Sequence, residues 1–348
     1  MPVSASLPSP PAARAPMSNL DVPRPGELSR SADPLPARAG RLRTKYHHFM
    51  SRLAAKSAER YWKEHPPMEA QRTQSWLHER MVKGEPTAVG RMGQVEATIA
   101  MWAHGITRPF PFPLPGGLST DYGETVSGMT NAGVRPRNAA SYRAFADLLL
   151  ASFDALDLVG VWSKDWEMAI LHRLGQYQRR INVELLSTSF EFTPHWFDAL
   201  DGKRVLVVSP FTESIQRQHD RLPQVWPKRK ALPQFTIVPY QFPYLVEDDT
   251  PLTWWEVYAD ASKVIDRGDY DVALLGCGGL GSPLAARAKE AGKIGLHLGG
   301  HLQLIFGVYG SRIQDQDWHA RWVNDAWVRP LPQEVPRCAQ RIEKGCYW

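Results

Sequence analysis

Cysteine is scarce in this chain: Cys277, Cys338 and Cys346 are the three thiols among 348 residues. They form no C-x-x-C pair of the kind that builds a metal centre, and they are too sparse for a disulfide scaffold, so a reducing compartment fits. Long apolar runs are also missing. The most apolar stretch, 144–162, is interrupted by Asp147, Asp154 and Asp157, whereas a bilayer span needs about 20 apolar residues. The opening residues lack a charged segment followed by an apolar one, which argues against a signal peptide. These absences predict a cytoplasmic protein, with peripheral membrane association left open. Charge of one sign is in small excess, a formal +5, which favours anionic ligands in a focused cleft or is a solvated basic surface. The densest basic groups, Arg38 to Lys45 and Lys228 to Lys230, are short and belong to no recognition module, so no nucleic-acid partner is expected.

What the chain does have is core. With 43% hydrophobic residues over its length, it can bury one large or two moderate domains. Residues 1–40 are rich in Pro, Ala, Ser and Arg without periodicity and read as a disordered tail. Residues 41–348 form the expected folded domain, with a helical N-terminal part over 45–105 and a nucleotide-binding core over about 200–310. Within the helical part, Pro86 to Gly93 reads as a short strand entering a turn, with a helix from near Val95. Residues 106–125 carry Pro109, Pro111, Pro113, Pro115 and a Gly116-Gly117 pair and read as a loop. Helical spacing returns over 138–158 and 165–174. Strands are expected at 158–162, 203–208, 235–239 and 270–275, and a helix at 254–266. The segment 180–190 gives no clear pattern. Alternation of strands and helices predicts an α/β fold with a parallel sheet flanked by helices.

The sharpest motif lies at Gly276-Cys277-Gly278-Gly279-Leu280-Gly281, between an apolar strand and a helix, and satisfies G-x-G-x-x-G. Absent side chains there allow a tight turn, and free N–H groups at the helix start attract phosphate; the same glycines also suit a purely structural turn. Pro283 in the first helical turn costs no hydrogen bond. A dinucleotide site further expects an acidic residue at the end of the next strand. That strand, Ile294 to Leu298, runs instead into Gly299-Gly300, so a nicotinamide-dependent oxidoreductase is the weakest reading. The second glycine pair suits close approach to a sugar or base, or tight packing at a strand end.

These runs, together with Gly202 to Phe211, Ile215, Gln218, Arg221, Leu302 to Gly307, Trp327 to Pro330 and Gly345 to Trp348, resemble the bacterial GT-D fold glycosyltransferases. The similarity extends from about Arg80 to the C-terminus. The resemblance implies a Rossmann-like parallel sheet of GT-D type, with a helical N-terminal portion, that binds a nucleotide-sugar, typically a UDP-hexose. It implies donor contacts at Gly276, Gly278, Gly279, Gly281, Gly299, Gly300, Gln303, Ser209 and Arg221. It also implies a divalent cation, Mn or Mg, held through an Asp-x-Glu motif. Here the corresponding residues are Arg91-Met92-Gly93-Gln94-Val95-Glu96, so Arg91, Gly93 and Glu96 match while Gln94 stands at the Asp position. Gln offers an oxygen without charge, and such cations favour carboxylates.

The chemistry of glycosyl transfer then singles out Glu96 as a catalytic or metal-associated carboxylate, with a helix cap as its alternative. Arg91, Arg217 and Arg221 are candidate cations for the leaving diphosphate. His297 is a candidate catalytic group, and His301 frames the same turn. Asp121 and Glu124 are candidate acceptor bases on the Pro/Gly-rich loop. Trp254, Trp255, Trp322 and Trp327 suit sugar stacking or core packing. The run Pro109 to Pro115 suits an acceptor cleft, a partner contact or a core cover. The sequence thus points to a hexosyltransferase that uses a nucleotide-sugar donor and a glycan or glycoprotein acceptor. An inactive nucleotide-sugar-binding or scaffold protein is the alternative. Oligomeric state is not read from the sequence.

Overall fold

A computed structural model describes residues 34–35, 56, 58–106, 132–174, 180–186, 192–246, 250–313, 321–341 and 345–348. Asp121, Glu124, the Pro109 to Pro115 run and nearly all of the 1–40 tail lie outside the described residues. Seven strands alternate with helices along the chain: α1 (Ala70–Lys83), β1 (Thr87–Arg91), α2 (Gln94–Ala103), α3 (Ala139–Ala155), β2 (Leu158–Val161), α4 (Asp165–Leu174) and β3 (Arg180–Asn182) come first. The second half continues with β4 (Arg204–Ser209), α5 (Thr212–His219), α6 (Leu222–Val225), β5 (Thr236–Gln241), α7 (Trp254–Arg267), β6 (Val272–Leu275), α8 (Gly281–Glu290), β7 (Ile294–His297) and α9 (His301–Ile305). The strands make one sheet in the order β3-β2-β1-β7-β6-β4-β5, and every pair is parallel. This is a Rossmann-like α/β architecture.

Local sequence explains the element ends. Glu69 caps α1 by accepting from the Gln71 and Arg72 amides, and Gly84, in the left-handed region, stops the helix. Thr253 and Glu256 form a reciprocal capping box at the start of α7. Within the unclear 180–190 segment, the described residues 180–186 form β3 and a 3-10 turn, Val183–Leu186. No helix among the described residues is long and apolar enough to cross a membrane.

Continuous apolar strands are buried on both faces, as a helix-covered parallel sheet requires. In β4, Leu206 and Val208 point into one core with residues of α2, α3, α4, α7 and α8. Val205 and Val207 point into the other with α1, α5, α6, α9 and the 3-10 segment Trp196–Leu200. This division fixes where a ligand can enter. The chain leaves β4 by α5 on the second face and β6 by α8 on the first, so these neighbouring strands feed opposite faces. The same divergence recurs between β1, which feeds α2, and β7, which feeds α9. Open α/β sheets take their ligands at the carboxyl ends of strands that part in this way.

Candidate functional site

One cleft of about 600 Å³ lies over those carboxyl ends, reached by residues that follow β1, β2, β4, β5, β6 and β7. Glycines knit its floor. Gly278 has φ +58°, a conformation that side chains with Cβ rarely take. A Cβ at Gly279 would stand 3.2 Å from Glu96 Cγ, so the turn after β6 lies against the first turn of α2, some 180 residues away in sequence. A Cβ at Gly281 would stand 2.1 Å from the His297 ring, and one at Gly299, 2.6 Å from the Arg91 guanidinium carbon. Gly276, Gly278, Gly299 and Gly300 line the cleft; Gly279 and Gly281 shape its wall from behind.

Arg91 ends β1. Its guanidinium donates to the Leu298 carbonyl at 3.0 Å and lies 4.8 Å from the centre of the Trp162 ring. Glu96 sits in the first turn of α2 and bends back toward Gly93: a Cβ on that glycine would be 2.2 Å from Oε2. Removal from water pushes the Glu96 pKa up, against its own amide hydrogen bond and the charge of Arg91. Gln94 begins α2, is exposed and lines the cleft beside it.

His297 ends β7, with Nδ1 3.0 Å from Ser282 Oγ. Ser282 donates to the Arg91 carbonyl at 2.8 Å and accepts from the Arg91 amide at 3.1 Å. Its one proton is thus used, so Nδ1 must donate to it, which leaves Nε2 as the acceptor nitrogen. Burial and the nearby Arg91 charge hold the imidazole well below its ordinary pKa, hence neutral. Ser282 is itself fully buried, so this Ser-His pair is a joint between β1, α8 and β7 and not a nucleophile.

Other predicted residues divide by place. Ser209 ends β4 in the cleft wall, where its Oγ accepts from the Phe211 amide at 3.1 Å. Gln303 lines the cleft while 3% exposed. Its Nε2 donates to the Tyr347 carbonyl at 3.1 Å, and its Oε1 is buried without a hydrogen-bond partner. Arg221 is not brought to the cleft. It is exposed at the junction of α5 and α6 and bonds Gln218. Arg217 is exposed on α5 and pairs with Glu213 at 2.5 Å. His301 stands 4.0 Å from Glu184 and is outside the cleft lining. Trp254 and Trp327 are core residues, bonded to Ser141 Oγ and to the Val225 carbonyl; neither they nor Trp255 and Trp322 line the cleft.

The cleft uses different aromatic residues. Trp162 and Trp166 follow β2, and Tyr244 and Trp348 stand at the opposite end. Trp162 is marked in sequence by its place at the end of an apolar strand, and Trp348 by the run Gly345 to Trp348 that carries part of the resemblance; no local pattern marks Tyr244.

A divalent cation asks for several hard oxygen ligands. Glu96 is the one carboxylate side chain among the cleft-lining residues described, with Gln94 beside it. Among the described residues no group of three His, Cys, Asp or Glu is placed to hold a metal ion. These side chains do not by themselves fit a cation site. No protein-family model, curated protein or solved structure matches the chain. The fold is that of a Rossmann-like α/β protein, compatible with nucleotide-binding enzymes at large.

Proposed function

We propose that this chain is a hexosyltransferase of the GT-D type, transferring a sugar from a nucleotide-sugar, in the first instance a UDP-sugar, to a glycan or glycoprotein acceptor. The observation that carries the reading is the meeting of Arg91 and Glu96 with both glycine turns in one cleft at the strand ends. Glycine-turn amides and a guanidinium suit a diphosphate whose charge grows as the sugar leaves. The acceptor hydroxyl oxygen forms the new bond to the anomeric carbon. The bond from that carbon to the diphosphate oxygen breaks, and its electron pair stays on the diphosphate. The acceptor proton passes to the Glu96 carboxylate. A raised pKa suits that task, because a general base works best when its pKa approaches the operating pH. His297, neutral and with Nε2 as acceptor, stands beside this centre as a positioning group.

A panel of nucleotide-sugars in calorimetry, followed by donor hydrolysis and transfer assays, tests the reading. A UDP-sugar is expected to bind the wild-type chain, Arg91→Ala to weaken that binding, and Glu96→Gln to keep it while lowering turnover by about a hundred-fold. Failure of every nucleotide-sugar to bind would sink the proposal. One observation favours the second reading, a binding protein without turnover: the Glu96 carboxyl folds back over the start of α2 as a cap would. Donor binding with no hydrolysis or transfer under any condition is its signature.

A further inference from the structure

The cleft is longer than one charged site needs, and its two ends differ in chemistry. It reaches across the ends of six strands, from β2 to β5. At about 4.8 Å per strand this is about 24 Å. It also spans neighbouring pairs of strands that feed opposite faces, β1 with β7, β7 with β6 and β6 with β4. The two charged side chains among its described lining residues, Arg91 and Glu96, both follow β1. Past the glycine turn of β6 the described lining includes Phe211, Phe242, Pro243, Tyr244, Leu245 and Trp348, none with a charged side chain. Tyr244 and Trp348 are half-buried, with ring centres 5.9 Å apart. They are anchored from behind: the Tyr244 hydroxyl donates to the Glu334 carbonyl at 2.6 Å and the Trp348 indole donates to it at 3.1 Å. Their polar atoms are therefore spent on the protein, and what they offer a ligand is ring surface.

We infer that the β4–β5 end of the cleft is the distal part of the acceptor subsite and that it takes an uncharged sugar unit of an acceptor chain whose reacting unit lies at Glu96, a pyranose whose C–H face lies on Tyr244 and Trp348. This rests on the transferase reading above and adds to it the place and charge of the acceptor. The β4–β5 end lies three to four strand spacings from β1, about 14–19 Å, so units behind the reacting sugar reach it, and among the described lining residues it has no charged side chain to receive an anionic acceptor. Aromatic faces that line a water-excluding wall suit apolar sugar faces.

The full-length chain is titrated with maltotetraose and cellotetraose as neutral probes, a galacturonate tetramer as the anionic probe, and uridine diphosphate as the donor-side probe. Binding is read by calorimetry and by saturation transfer to the pyranose protons. A neutral tetramer is expected to bind and the uronate to bind at least ten-fold more weakly. Tyr244→Leu is expected to lose about ten-fold for the neutral probe. Tyr244→Phe, which also lacks the hydroxyl that reaches Glu334, is expected to bind as the wild type does. Uridine diphosphate affinity is expected to be equal in all three proteins. Loss of uridine diphosphate affinity in Tyr244→Leu would make this end the base site and overturn the inference. So would uronate binding as tightly as the neutral tetramers, or no tetramer binding at all. Tetramer binding that is sensitive to Tyr244→Leu, with no uridine diphosphate binding by the wild type, would support the carbohydrate subsite and overturn the transferase reading alone.

Discussion

Gly281 shows what the glycine motif does besides leaving room for a ligand. Its Cα side is filled by the His297 ring, and a methyl group there would stand 2.1 Å from Cδ2 and 2.3 Å from Nε2. The imidazole cannot swing aside easily. It is 4% exposed, tied to Ser282 Oγ at 3.0 Å, and Ser282 is tied in turn to both backbone groups of Arg91. Gly281→Ala is therefore expected to destabilise the fold by about 1–3 kcal/mol, the usual cost of forcing extra volume into a packed interior. The shift would appear as a lower urea midpoint at unchanged m value. An unchanged midpoint would mean that His297 can move, and the fixed tautomer deduced from the Ser282 contacts would fall with it. At Gly299 the neighbour is Arg91, whose guanidinium carbon lies 2.6 Å from the Cβ position, and φ is +55°. The residue that holds the charge of the cleft is thus shaped by a glycine far from it in sequence.

At the scale of elements, α5 is held at its start by a carboxylate from the C-terminal segment. Glu334 is 3% exposed and accepts from the Glu213 and Ser214 amides at 2.9 and 3.2 Å, from the Ser214 hydroxyl and from the Leu331 amide. Helix starts leave such amides unpaired. Glu334→Ala is expected to cost about 1–3 kcal/mol, because buried donors would lose their acceptor. The Glu334 carbonyl that anchors Tyr244 and Trp348 remains in the variant, so carbohydrate binding is expected to survive where the protein is folded. Urea unfolding checks the first expectation and neutral tetramer titration the second; a loss below 0.5 kcal/mol would show that water replaces the cap.

Strands of this kind announce themselves when they are long and apolar. Val205 to Val208 and Val272 to Leu275 are readable because both faces of each are covered, which writes the core into consecutive residues. β3 is not readable: it has three residues, Arg180–Asn182, too few to show a period, and its Arg180 lies over the Trp62 ring at 5.2 Å through packing that no local pattern encodes. The same distinction runs through the cleft. Arg91 to Glu96 and the two glycine turns sit at strand-to-helix junctions, which sequence marks. Tyr244 and Trp348 meet only because both donate to the Glu334 carbonyl, from parts of the chain about 100 residues apart. Arg221 shows the opposite case, a cation placed by its charge in the donor site that the fold carries to an exposed helix junction.

The whole molecule carries a pH dependence set by buried groups of opposite sign. Glu167, 2% exposed, accepts from the Trp162 amide at 2.9 Å and the Lys164 amide at 2.8 Å, yet burial pushes its carboxyl up from 4.5 to about 8. Between those values the folded chain holds a proton there that the unfolded chain has released. Stability rises with pH only where the unfolded state binds more protons, so this group makes stability fall as pH rises through that window, and contributes no slope above about 8. Glu96, also raised by burial, acts with the same sign. The buried imidazoles act oppositely: burial lowers His195 to about 3 and His297 well below its ordinary value. Their unfolded forms take up protons below about 6.5, so they remove stability as pH falls through that value. From about 6.5 to 8 His195 and His297 are neutral in both states, and Glu167 is the group whose titration lies in that window. Urea unfolding across pH 5 to 9 is expected to show a decline in stability above about pH 6.5, with Glu167 contributing at most about 1.4 kcal/mol per pH unit. Glu167→Gln keeps an oxygen for the Trp162 and Lys164 amides and removes the titrating proton, so its stability should decline less between pH 6.5 and 8. An identical decline in variant and wild type would place the titrating group elsewhere and leave Glu167 ionised throughout that range.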